Sequence, residues 1–180
     1  MHMRQYLTFE LDGRRYGVLV EHVNSVLDPQ MITPLPHGST IVTGLTNVRG
    51  NVVPVFDPRE TLQRTKVDDI RIAKNVNKPD SEHNPASREE ENDEEGGIVI
   101  FEVENGTLLP FIGLQADKIG KVINLEDSEI SSVPDFLPEN ASKFFEGFCF
   151  VGDTRHSIIS LKELASKESL FSGGEGGRRA

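Results

Sequence analysis

The residues able to carry chemistry are few and poorly spaced for it. Five histidines, His2, His22, His37, His83 and His156, show no metal-binding interval such as H-x-x-x-H, and the single cysteine, Cys149, cannot build a two-thiolate site. Cys149 and His156 lie seven residues apart on one expected hairpin, a pairing that would suit thiolate catalysis. Cys149 sits in "GFCFVG", however, between two phenylalanines, a setting for a small buried hydrophobe rather than a nucleophile. Glu21 and Asp117 fall at matching places in an internal repeat, but their neighbours are apolar and no water-activating partner accompanies them. Neither G-x-x-x-x-G-K-[ST] nor G-x-G-x-x-G occurs. The expectation is a protein that is not an enzyme, with no cofactor and no metal.

Composition narrows the partners. The chain has 180 residues and a formal charge of −10. Neutralising phosphates takes clustered Lys and Arg, so nucleic acid and anionic membrane surfaces are disfavoured. No stretch approaches the roughly 20 apolar residues of a spanning helix. The opening "MHMRQYLTFE" lacks the apolar run of a signal peptide, and one lone cysteine suits a reducing compartment. A cytoplasmic protein is expected.

The elements that must position any site are strands, stated twice. "FELDGRRYGVLVEHVNSVL" (9–27) is echoed by "FEVENGTLLPFIGLQADKIGKVI" (101–123), with Gly17/Gly113, Glu21/Asp117, Val23/Ile119 and Val26/Val122 at a constant spacing of 96. "GLTNVRGNVVPVFD" (44–57) resembles "GFCFVGDTRHSIIS" (147–160). Alternation in "YLTFEL" marks a half-buried strand, and Asp12-Gly13 marks a type I′ hairpin turn. Asn105-Gly106 repeats that signal, and second hairpins are expected to turn on Gly50-Asn51 and Gly152-Asp153. Each half thus offers about five short strands, which is barrel-sized. Pro54 and Pro110, inside strand-like runs, suggest edges or bulges. Short helices are expected at "DPRETLQR" (57–64), with Asp57 as N-cap, and at "SLKELASK" (160–167), with Ser160 in the matching place.

Between the halves lies an acidic insert (66–97). Residues 79–96 hold eight acids against Arg88 and no large apolar side chain, so composition predicts a disordered loop; "DDIRIAKN" ahead of them is a candidate edge strand. A calcium loop would need an oxygen-ligand spacing that is missing. The glycine-rich end, 169–180, reads as a flexible tail.

Two features exceed what a barrel demands. Val18, Val20, Val23 and Val26, with Leu114, Ala116, Ile119 and Val122 in the second copy, have mixed spacing, so some must face outward; two small barrels side by side would leave apolar walls as a groove for a helix. Arg49 precedes Gly50 where the repeat places Val151 beside Gly152, so the fold itself does not ask for an arginine there.

With these residues in view, the chain resembles a known family. "FELDGRRYGVLVEHVNSVL…ITPLP…VTGLTNVRGNVVPVFDPRETL" looks like the first half of a CheW domain, the adaptor of bacterial chemotaxis arrays, and "IVIFEV…FIGLQADKIGKVINL" with "FFEGFCFVGDTRHSIISLKEL" is similar to its second half. The resemblance implies an all-β fold of two intertwined five-stranded SH3-like barrels with short helices, in a single domain over 1–168 (first barrel about 9–65, second about 98–166). It implies an adaptor that couples methyl-accepting chemoreceptor tips to the regulatory domain of a CheA-type histidine kinase, and contact with other CheW-like domains in array rings. Carried onto this chain, the receptor groove falls at Val20, Val23, Val26, Ile98, Ile119 and Val122, and the signature hairpin at Gly44, Arg49 and Gly50. Where the family often has an acid able to pair with the signature arginine, this chain has Ser25. A coupler for a pilus or other non-flagellar chemosensory kinase shares the pattern. An RNA-binding module on an SH3-like barrel is the reading from another class; it would need a basic, aromatic-lined strand face that this chain lacks.

Overall fold

The computed structural model describes residues 2–35, 42–63, 96–103, 110–135, 137 and 139–166. The expected "DDIRIAKN" strand, the Asn105-Gly106 turn, the tail 169–180 and all of the acidic insert except Gly96 and Gly97 lie outside them. The alternating first stretch forms β1 (Met3–Leu11), which turns at Asp12 and Gly13 into β2 (Arg14–Leu19). Both turn residues have positive φ, 49° and 74°, the type I′ geometry that Asp-Gly favours. A 3₁₀ turn at Val20–His22 leads to β3 (Val23–Leu27), followed by β4 (Thr33–Pro34), β5 (Val42–Val48) and β6 (Asn51–Phe56). The first half closes with helix α1 (Arg59–Gln63), where Asp57 Oδ1 accepts the Arg59 N–H at 3.0 Å as an N-cap should.

The second half repeats this order: β7 (Gly97–Glu102), β8 (Phe111–Ala116), β9 (Lys118–Glu126), helix α2 (Glu139–Ser142), β10 (Phe145–Val151), β11 (Thr154–Ile159) and helix α3 (Leu161–Leu164). Ser160 does occupy the N-cap of α3, but its hydroxyl makes no capping bond; its carbonyl accepts the Leu164 N–H at 3.1 Å instead.

Neither sheet is built from one half of the sequence. The five-stranded sheet runs β10-β11-β2-β1-β9 and the six-stranded sheet runs β3-β7-β8-β6-β5-β4. The hairpin β1–β2 therefore sits among second-half strands, and β7–β8 among first-half strands. Two parallel seams join the halves, β11 on β2 (Ser157 opposite Tyr16) and β6 on β8 (Val55 opposite Gly113). This is an exchange between two copies of one motif.

The apolar residues sort into three clusters that follow the exchange. A central cluster joins Leu7, Phe9, Tyr16 and Val18 of one sheet to Phe56, Val99, Phe101 and Leu114 of the other. Smaller clusters lie beyond it. One takes Tyr6, Leu19, Cys149 and Ile158 with Ile123 and Ile130; the other takes Val48, Val53, Val55, Ile98 and Ile100 with Leu27 and Ile32. Leu27 and Ile123, and Val55 and Ile158, are repeat-equivalent, so each copy builds the same small core from the same positions.

Two turn and strand expectations change. The second hairpin of the first half turns on Arg49-Gly50, not Gly50-Asn51, because Val48 pairs directly with Asn51. Pro54 lies inside β6, which is flanked by β5 and β8 rather than at an edge. The missing N–H is tolerated because pairing with β8 begins only at Val55. Pro110 fits the expectation better, standing just before β8, where its carbonyl accepts the Val103 N–H at 3.0 Å.

Candidate partner-binding surface

The mixed spacing of Val20, Val23 and Val26 has a backbone cause. β3 is an edge strand, and its ladder with β7 shifts register between Val23 and Ser25. One extra residue, Asn24, is accommodated as a bulge. Val23 then faces Phe101 and Val26 faces Val99. Phe101 and Val99 are two apart on β7, so they share a face, and their partners share it too despite being three apart. The second half does the same on the other edge. β9 pairs Ile119 with Phe9 and Val122 with Leu7 across its own register shift. All four partners belong to the central cluster.

The central core therefore continues outward to both edge strands and is left partly bare there. Val20, Val23 and Ile119 are half-buried and pack against it. Val26 and Val122 are 44% and 50% exposed. Ile98 does not belong with them: it is 0% exposed inside the smaller cluster of the six-stranded sheet and cannot offer its side chain to a partner. The carried-over position is a core position here, because its strand is paired on both sides, by β3 and β8.

Gly97, which the sequence did not single out, stands where the two edges converge. A Cβ there would meet Ile119 Cγ1 at 2.8 Å and the Leu27 carbonyl oxygen at 3.2 Å, so its bare backbone seats the Ile119 side chain beside β3.

Arg49 and Gly50 form the exposed tip of the β5–β6 hairpin with φ of 51° and 89°. Asn47 explains the local turn: its Oδ1 accepts the Gly50 N–H at 2.9 Å. Structurally the counterpart of Arg49 is Gly152 (φ 60°), since Val48 and Val151 are the residues that enter the two turns. The second copy thus uses glycine where the first keeps an arginine in the left-handed region. Arg49 forms no ion pair among the described residues, and the Ser25 hydroxyl donates to Asn24 Oδ1 at 3.3 Å.

Gly44 has a packing reason. A Cβ there would come within 2.4 Å of the Thr33 carbonyl oxygen and 2.7 Å of Ile32 Cγ2; at Gly147 it would come within 2.5 Å of the Ser131 carbonyl oxygen and 2.6 Å of Ile130 Cγ2. The same close crossing recurs in both copies, so glycine is dictated by the fold at both.

Asp117 is more than a hairpin-edge acid. Its Oδ1 accepts from Arg59 Nη1 at 3.0 Å and its Oδ2 accepts the Asp12 N–H at 2.8 Å. Arg59 Nε bonds Asp57 at 3.0 Å, and Nη1 reaches Asp12 Oδ1 at 3.3 Å. Hydrogen bonds to these carboxylates push the Arg59 pKa up, against the opposing effect of burial. One guanidinium thereby ties α1 and the β1–β2 turn to Asp117, the residue between β8 and β9. Glu21, the repeat counterpart of Asp117, is exposed on the 3₁₀ turn before β3.

Nothing in the arrangement favours covalent chemistry. Cys149 and His156 are cross-strand partners, both buried. Burial pushes the Cys149 thiol up, the direction opposite to activation, and Glu129 adds to it. His156 Nδ1 lies 3.2 Å from the Thr154 carbonyl oxygen. Among the described residues no group of His, Cys, Asp and Glu could hold a metal, and no helix is long and apolar enough to cross a membrane.

Comparison with known proteins agrees with this geometry. Residues 5–168 match the CheW-like domain family. The chain is 23% identical over 166 residues to chemotaxis protein CheW of Treponema pallidum, covering 92% of this chain and 84% of that one. It is 25% identical over 163 residues to chemotaxis protein CheW of Bacillus subtilis, covering 91% and 87%. The crystal structure of the scaffolding protein TtCheW from Thermoanaerobacter tengcongensis shares the fold, with a TM-score of 0.66 at 22% identity over 94% of this chain and 92% of that one.

Proposed function

The chain belongs to the family of CheW-like domains, and from that membership we propose that it is a non-enzymatic chemotaxis adaptor, coupling methyl-accepting chemoreceptors to a CheA-type histidine kinase. The observation that carries the receptor half of this reading is the pair of bulged edge strands. Two strands related by the repeat bring the rim of one core to the surface at Val26 and Val122, beside Val20, Val23 and Ile119. An apolar strip shared by two lobes fits the apolar face of a helix. The kinase regulatory domain is assigned to a different end of the molecule, and Arg49 to coupling at the exposed hairpin tip. Each sheet, one of five strands and one of six, is read as an SH3-like barrel closing on its own small core; the cluster of Tyr6, Leu19, Ile123, Cys149 and Ile158 draws on all five strands of its sheet, which supports closure. The adaptor is read as cytoplasmic, held at membrane receptor arrays through its partners, including other CheW-like domains.

Val26→Asp and Val122→Asp test the groove without entering the core, since both side chains are about half exposed. A charge buried without a partner costs about 3–5 kcal/mol, enough to weaken receptor capture at least about a hundredfold. Paired pull-downs with a receptor cytoplasmic fragment and a kinase regulatory domain give the readout, on variants shown folded by circular dichroism. Selective loss of the receptor is expected. Loss of the kinase alone would invert the assignment.

A further inference from the structure

The apolar positions of the two edge strands obey the repeat, but the ladders that carry them differ in length. On the first half the pairing of β3 with β7 stops at Leu27 opposite Ile98, and β7 begins one residue earlier, at Gly97. On the second half the matching row is Ile123 opposite Tyr6, and β9 stays paired with β1 beyond it, through Asn124 opposite Gln5 and Leu125 opposite Arg4 to Glu126 opposite Met3. Those three rows make a two-stranded arm about 10 Å long, at roughly 3.4 Å per residue. Alternation puts Gln5 and Met3 on the face of Leu7 and Phe9, and Asn124 and Glu126 on the face of Val122. Burial agrees, since Ile123 and Leu125 point the other way, into the small cluster of that sheet. A hydrogen bond agrees as well: Gln5 Nε2 donates to Asn124 Oδ1 at 3.2 Å. Past Val122 the surface therefore continues as an exposed amide pair and then Met3, which is 65% exposed.

The first half has nothing comparable. Its counterpart of Asn124 is Asp28, and its counterpart of Gln5 is Gly97, whose missing Cβ leaves room for Ile119 of the other wall. One copy thus ends in a bare backbone position filled from across the strip, and the other ends in two amides. An apolar strip with repeat symmetry would accept a helix in either direction; a polar extension at one end alone removes that ambiguity. The spacing suits a helix. Same-face strand residues two apart lie about 6.6–6.8 Å from one another, close to the roughly 6.0 Å between helix residues four apart. A helix along β9 with apolar side chains opposite Ile119 and Val122 would set its next side chain, about one turn on, opposite Gln5 and Asn124. Gln5 Oε1 and the Asn124 amide N–H groups take no part in the bond between the two residues, so the pair offers both an acceptor and donors. A side-chain amide matches that combination.

We propose that the receptor surface continues onto the β1–β9 arm, where Gln5 and Asn124 hydrogen-bond a side-chain amide about one turn beyond the apolar stripe of the bound helix and so fix its direction. This rests on the reading of β3 and β9 as the receptor-facing surface, and the test separates the two ideas. The probes are two synthetic helical hairpins with the same apolar stripe, one with glutamine and one with alanine a turn beyond it, titrated against the full chain. The glutamine hairpin should bind about three- to tenfold more tightly, the span of one net hydrogen bond. Gln5→Ala with Asn124→Ala should bring the two hairpins level, which closes a double-mutant cycle on the contact. Both side chains are exposed, so that variant should melt within about 2 °C of the parent. Asp28→Ala, at the same place in the first copy, should leave the preference intact. Equal binding of both hairpins to the parent, abolished by Val26→Asp and Val122→Asp, overturns the arm and leaves the strip standing. Binding indifferent to those two aspartates overturns the strip and the arm with it. A preference that survives the double alanine variant, or is erased by Asp28→Ala, places the amide contact elsewhere and overturns the proposal. So does a melting loss above about 4 °C in the double variant, which would give the pair a structural role, and so does failure of both hairpins where a receptor cytoplasmic fragment binds.

Discussion

Arg59→Ala is the substitution with the most to say about how the two copies are fastened together. The guanidinium touches Asp57, Asp117 and Asp12 at 3.0, 3.0 and 3.3 Å, with its own side chain 27% exposed. Exposed pairs are worth about 0.2–1 kcal/mol each. Three of them around one well-held cation come to about 2 kcal/mol, after discounting for that solvent access. The alanine variant also takes away the cation that Asp57 and Asp117 share. For a domain of this size each kcal/mol moves the melting temperature by about 2–4 °C, so a fall of about 4–8 °C is expected in thermal circular dichroism. The loss should shrink at high salt, because the attraction that is lost is screened there. Amide exchange adds a local readout: Asp117 immediately precedes β9, so protection at Ile119 through Val122 should fall more than protection at Val53 through Phe56. A variant melting within about 1 °C of the parent would refute the idea that this cluster joins the copies.

Two further outcomes follow from single residues. Arg49→Gly should leave stability unchanged or raise it by up to about 1 kcal/mol, because glycine accepts the left-handed φ that arginine resists; assembly with receptor and kinase should weaken nonetheless, and a variant that unfolds would make Arg49 structural. His156 is held below its ordinary pKa chiefly by burial, with Arg15 adding to the effect and the Thr154 carbonyl opposing it. The unfolded chain therefore takes up a proton near pH 6.5 that the folded chain refuses, and stability should decline as pH falls below that value, levelling off once the folded histidine is protonated. His156→Gln should flatten that slope in pH-dependent denaturant titrations; an unaltered slope would assign the decline to other groups.

Much of the architecture is legible in the chain because it is written in local signals. Asp12-Gly13 fixes its turn through φ values that such residues favour, and the constant spacing from Gly17/Gly113 to Val26/Val122 announces two copies of one motif. What escapes the sequence is everything set by distant partners. The bulges at Asn24 and Gly120–Lys121 turn an irregular valine spacing into one continuous face, but they exist only in the ladders with β7 and β1. Ile98 differs from Val26 because β7 is covered on both sides and β3 on one, which no residue in "GGIVIF" declares. Arg59 reads as an ordinary helix residue until Asp117, 58 positions away, folds against it. Gly44 looks like a motif letter, whereas the Thr33 carbonyl crossing over it is the physical requirement.

The exchange of β1–β2 against β7–β8 also settles what the connection between the halves has to do. Each sheet is complete only when both copies are present, much as in a swapped homodimer, so the peptide linking them acts as a tether that replaces an encounter between two molecules by one within a single chain. Its contribution is a local concentration, typically millimolar for a short flexible link, and that quantity declines only slowly as the link lengthens. Sequence between Gln63 and Gly96 can thus change in length and charge at small thermodynamic cost, while Val23, Val26, Ile119 and Val122 stay fixed by the ladders they pair in.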